Sequence, residues 1–90
     1  MRTHTWQPYW WRITHRGERD HQWHPLGPGG PRPVPNAALA SGTLADWAAG
    51  HLAEAAGELA DLRGELRLEC FPAPTAEGPS ALTLTATLHG

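Results

Sequence analysis

At Gly64 the spacing of apolar residues changes, and that change constrains the fold more than any other feature of the chain. Before it lies TLADWAAGHLAEAAGELADLRG, from Thr43 to Gly64. There Ala48, Leu52, Ala55, Leu59 and Leu62 recur at steps of four and three and, with Leu44, make one apolar stripe of an amphipathic helix. After it, Leu66, Leu68 and Cys70 alternate with Glu65, Arg67 and Glu69, the period of a strand with one buried face. Pro72 and Pro74 end that strand, and a loop leads to Ser80. The last strand, Ala81 to His89, turns Leu82, Leu84, Ala86 and Leu88 one way and Thr83, Thr85 and Thr87 the other. The spacing therefore predicts a C-terminal hairpin whose leucine face meets the helix stripe.

The helix carries its own boundaries. Thr43 is an N-cap, with a hydroxyl placed to accept from a first-turn amide, and Asp46 suits the positive end of the helix dipole. Arg63 and Gly64 read as the stop, a cation followed by a residue that tolerates the left-handed cap. Trp47 and His51 fall on the margin of the stripe.

The first third reads as a second hairpin. Tyr9 to Arg16 alternates, with Tyr9, Trp11, Ile13 and His15 on one face and Trp10, Arg12, Thr14 and Arg16 on the other. Gly17 to Arg19 read as a turn and Asp20 to His24 as a return strand. A three-residue loop sets His15 opposite His21 and Ile13 opposite Trp23. Residues 25–35, PLGPGGPRPVP, hold five Pro and three Gly and are read as a connector. The expected architecture is α+β: an antiparallel sheet of two hairpins (ββαββ) with one helix on one face, in a single domain over residues 1–90. Strand order is left open. If the hairpins share a sheet, Arg12 and Arg16 can pair with Glu65 or Glu69 on its open face.

Composition narrows the function classes. All 7 basic residues are Arg, so chemistry that needs a Schiff-base or phosphate-loop lysine is excluded. The single Cys70 has no internal disulfide partner. No apolar run approaches the roughly 18 residues of a membrane span and no signal-peptide core opens the chain, so a cytoplasmic location is expected. Neither Ser41 nor Ser80 sits in a nucleophile elbow, and Cys70 falls on the buried face. The helix acids Glu54, Glu58 and Asp61 form a solvated face. No cofactor motif is present.

Two clusters remain as candidate sites. Trp6, Tyr9, Trp10 and Trp11 precede Arg12 and Arg16, and Trp23 follows. Aromatic and arginine side chains together suit a protein interface, or single-stranded nucleic acid held by stacking and phosphate contacts. Trp6, Trp10, Arg12, Arg16 and Trp23 are the interface candidates. His15, Asp20 and His21, near His24, offer zinc-type donors without a recognised metal-binding spacing.

Residues 41–55, SGTLADWAAGHLAEA, resemble the turn and helix start of small HicB-type antitoxins. The resemblance spans about a sixth of the chain. The Pro-rich connector and the β tail depart from that family, so no residue role is carried over. The sequence favours a small non-enzymatic interaction or regulatory module, with a protein partner or a second copy. The alternative is a nucleic-acid-binding regulator that uses the aromatic and Arg strand.

Overall fold

The computed structural model describes residues 8–27 and 30–89. In chain order its elements are β1 (Trp10–Arg16), β2 (His24–Pro25), β3 (Arg32–Pro33), α1 (Asn36–Ser41), α2 (Leu44–Glu58), β4 (Arg63–Phe71) and β5 (Leu82–His89). The five strands form one antiparallel sheet in the order β2-β1-β4-β5, with β3 also on the outer side of β1. β1 pairs with β4 from Trp10↔Phe71 to Arg16↔Glu65, which joins the two hairpins through their inner strands. β5 pairs with β4 from Arg63↔His89 to Cys70↔Leu82.

The α+β architecture follows from the two apolar periods. The stripe of α2 and the alternating leucines of β4 and β5 leave water against each other. Ile13, Ala48, Leu52, Leu66, Leu68, Cys70 and Leu88 form the buried centre, and Leu44, Trp47, Ala55, Leu59, Leu82 and Leu84 pack around it. Leu66 and Leu68 are fully buried, each worth about 2 kcal/mol of transfer free energy. Thr43 caps α2 as its side chain predicts: Oγ1 accepts from the Asp46 amide at 3.1 Å. Such a cap contributes about 1 kcal/mol.

Three local expectations are corrected. The helix stops at Glu58 with Leu59 as its C-cap, not at Arg63 and Gly64. Residues 63 and 64 instead begin β4, where Arg63 pairs with His89 and Gly64 with Leu88. Sheet pairing outweighs the last turn of helical spacing, and Leu62 is left at 36% exposure, outside the stripe. The N-terminal hairpin has a longer turn than expected: His15 lies opposite His24 and Thr14 opposite Pro25, so His15 does not face His21, nor Ile13 Trp23. The connector is not plain linker. Its two ends form a broken edge strand, in which the Leu26 amide donates to Ile13 O at 3.0 Å and the Val34 amide to Tyr9 O at 2.8 Å. Pro25 and Pro33 lack a donor, which is harmless on the rim of a sheet. Residues 36–41, unassigned from sequence, form α1, which packs against α2.

α2 lies over β4 and β5. It therefore leaves uncovered two regions that matter for function: the groove beside β1 and the outer edge of β5.

Candidate functional site

The face of the sheet away from α2 is a lattice of paired charges. Strand alternation sends Arg12, Thr14 and Arg16 of β1 and Glu65, Arg67 and Glu69 of β4 to this side, in direct register. Arg12 Nε donates to Glu69 Oε1 at 3.1 Å, and Arg16 Nη2 donates to Glu65 Oε1. Arg67 Nε approaches Glu69 Oε1 at 3.4 Å. The turn after β1 folds Trp23 onto this lattice. Its ring lies 4.4 Å from the guanidinium carbon of Arg67 and 5.1 Å from that of Arg16. Phe71 is buried at the other end, with Arg12 over its ring at 5.5 Å.

The interface candidates are thus partly drawn together. Arg12, Arg16 and Trp23 share one face, each held by a partner within the chain. Trp10 is half-buried at the start of β1, opposite Phe71. Trp6 lies outside the described residues. Trp23's position on the arginines was not legible, because it depends on the length of the turn before β2.

The metal candidates are not brought together. His15 Nε2 lies 2.9 Å from Arg63 O. Asp20 instead accepts the Gln22 amide at 3.0 Å and lies 2.7 Å from His24 Nε2. The Gln22 amide first, and His24 second, hold the Asp20 carboxyl below the ordinary carboxylate value. His21 is exposed. Among the described residues no three His, Cys, Asp or Glu side chains form a group able to hold a metal ion. Burial pushes the Cys70 thiol up to about 11, so its reactive thiolate is scarce at neutral pH.

On the α2 side, Trp11, Trp47 and His51 form an aromatic cluster at the margin of the core. His51 stacks on Trp47 at 4.9 Å and meets Trp11 edge-on at 4.4 Å. Beside it, α2 and β1 leave an open groove of about 310 Å³ with Trp11, Ile13, Leu26, Ala55 and Leu59 as its apolar lining and Glu54 and Glu58 on its rim.

The outer edge of β5 is a rim of the sheet with no neighbouring strand among the described residues. The oxygens of Tyr9, just before β1, and of Ile13 within it are taken on the outer side by Val34 and Leu26. Alternation then turns the N–H and C=O of Arg12 and Thr14 toward β4. Carried across the registers, it turns those of Leu66, Leu68 and Cys70 toward β5, and Cys70 O does accept the Ala81 amide there at 2.7 Å. On β5, Leu82, Leu84, Ala86 and Leu88 therefore bond inward. Thr83, Thr85 and Thr87 direct their N–H and C=O off the edge, where no strand of the described residues pairs with them. The edge carries none of the usual guards: no Lys, Arg, Asp, Glu or Pro occurs from Leu82 to His89. Sequence reading found this strand and its faces; its place at the rim required the strand order.

No helix among the described residues is long and apolar enough to cross a membrane. Searches for similar proteins returned no matching family model, no matching curated protein and no matching solved structure.

Proposed function

We propose that this chain is a protein-interaction module that works by strand addition, taking a partner strand along the outer edge of β5. The observation that carries the reading is the run of outward amide and carbonyl groups at Thr83, Thr85 and Thr87 on a strand without charge or proline. Sheet edges of this kind are normally blocked in proteins that act alone, because they template pairing with another chain. The leucine face supports the same reading: Leu82, Leu84 and Ala86 are only half-buried, although they face the helix.

The nucleic-acid alternative has weaker support. It needs Arg12 and Arg16 for phosphate, and both are already engaged by Glu69 and Glu65. Carboxylates on the same face repel a polyanion.

Thr85→Pro tests the reading. It removes one outward donor and leaves the inward hydrogen bonds of β5 in place, a substitution that edge strands accept. Wild type and variant are compared for self-association by light scattering and for affinity capture from host extract, with circular dichroism as the control for fold. Association lost in a folded Thr85→Pro variant is the expected result. Association that survives the substitution unchanged overturns strand addition at β5.

A further inference from the structure

We infer that the strand added to β5 is the β5 of a second copy, in a two-fold dimer whose axis passes through Thr85. This rests on the strand-addition reading and names its partner.

The first ground is self-complementarity. A two-fold axis makes the same patch serve both partners, so every residue must be compatible with its own mirror position. With the axis at Thr85, antiparallel pairing sets Thr83 opposite Thr87, Leu84 opposite Ala86 and Leu82 opposite Leu88. Polar residues meet polar residues on one face, and apolar meet apolar on the other. No like charges are opposed, since the strand is LTLTATLH. Thr85 directs its N–H and C=O outward, so the central pair exchanges two hydrogen bonds.

The second ground lies on α2 and is independent of the edge. The flank of α2 toward β1 is marked by the groove residues His51, Glu54 and Glu58. The opposite flank, toward the outside of β5, is Ala45, Ala49, Ala53 and Ala56 at steps of four, four and three. The first three are exposed and Ala56 is half-buried. Strands lie about 4.8 Å apart, so a helix over the β4–β5 seam lies about 10 Å from its two-fold mate. Helices pack at about 8–10 Å when the facing side chains are small. Four alanines on that flank satisfy that spacing, with Asp46 beside them at the N-terminal end of α2. The acids of α2 that line the groove, Glu54 and Glu58, are kept on the far side. The dimer would extend the sheet across the axis, with both helices on one face closing over Leu82 and Leu84.

Register-specific cross-linking tests the arrangement. Thr83→Cys, Thr85→Cys, Ala86→Cys and Thr87→Cys are each oxidised mildly and followed on non-reducing gels, with buried Cys70 retained in all of them and the wild type as control. Only Thr85→Cys sets a thiol against its own copy on the axis, at a separation a disulfide can span. It is expected to cross-link at least tenfold faster than Thr83→Cys or Thr87→Cys. Fastest cross-linking at Ala86→Cys or equal rates at all positions would overturn the axis at Thr85. Ala49→Glu and Ala53→Glu, at positions exposed in the single chain, are expected to weaken dimerisation at least tenfold by sedimentation while leaving the fold intact; an unchanged dimer would remove α2 from the interface. A strict monomer at all concentrations overturns the second copy as partner, and the Thr85→Pro capture comparison then judges strand addition by itself.

Discussion

A Cβ built on Gly64 would lie 2.1 Å from the carbonyl oxygen of Arg16. The close approach lies where the pairing of β1 with β4 ends, at Arg16↔Glu65, and the clash is with backbone, which cannot swing aside. Gly64 also has φ +113, a conformation L residues rarely adopt.

Gly64→Ala is therefore expected to cost roughly 2–4 kcal/mol, from strain at this dihedral plus displacement of the Arg16 backbone. Urea unfolding measures it. A loss under about 0.5 kcal/mol, within the range of an ordinary surface substitution, would contradict the close approach.

Thr14 offers the opposite sign. Its residue is 2% exposed and its hydroxyl has no hydrogen-bond partner among the described residues. A buried, unsatisfied hydroxyl costs about 1–3 kcal/mol, while the isosteric methyl of Val costs nothing to desolvate. Thr14→Val is expected to raise stability by about 1 kcal/mol in the same assay. A loss of stability would show that the hydroxyl is satisfied in solution.

The Cys70 thiol, pushed up to about 11 by burial, is expected to resist iodoacetamide in the native protein at pH 8 and to react fully in urea. Rapid native alkylation would place Cys70 at the surface, and with it the face of β4 that carries Leu66 and Leu68.

Asp20 gives a pH prediction. Its carboxyl is held below the ordinary carboxylate value by the Gln22 amide and by His24. A lowered folded pKa means that the turn gains stability above the unfolded value and loses it as pH falls through the folded one. Carbon NMR should show Asp20 titrating below an ordinary aspartate. Asp20→Asn should abolish that part of the acid dependence. A midpoint above that of an ordinary aspartate would contradict the turn hydrogen bonds.

The C-terminal half was readable in sequence because its periods are uninterrupted. Thr43, Leu52, Leu66 and Leu84 each do what their spacing implies. Arg12 and Arg16 also meet Glu69 and Glu65 as charge matching across a shared sheet requires. The N-terminal half was less readable, for physical reasons. A hairpin register depends on its turn, and Gly17 to Trp23 allow several lengths; the observed one pairs His15 with His24 and folds Trp23 onto Arg67. Helical spacing through Leu62 gave no sign of the helix end, because Gly64 is required by a strand 48 residues earlier rather than by the helix before it. The exposure of the β5 edge follows from strand order, which alternation does not encode.

Amide hydrogen exchange at Thr83, Thr85 and Thr87, followed across protein concentration, tests the proposed association most directly. In dilute protein these amides point to solvent and should exchange as fast as loop amides, while those of Leu84 and Ala86 are protected by β4. At concentrations where the two-fold dimer forms, the three threonine amides should become protected together. Fast exchange that stays the same at every concentration would contradict a β5–β5 dimer, and protection already complete in a dilute monomer would contradict the free edge itself.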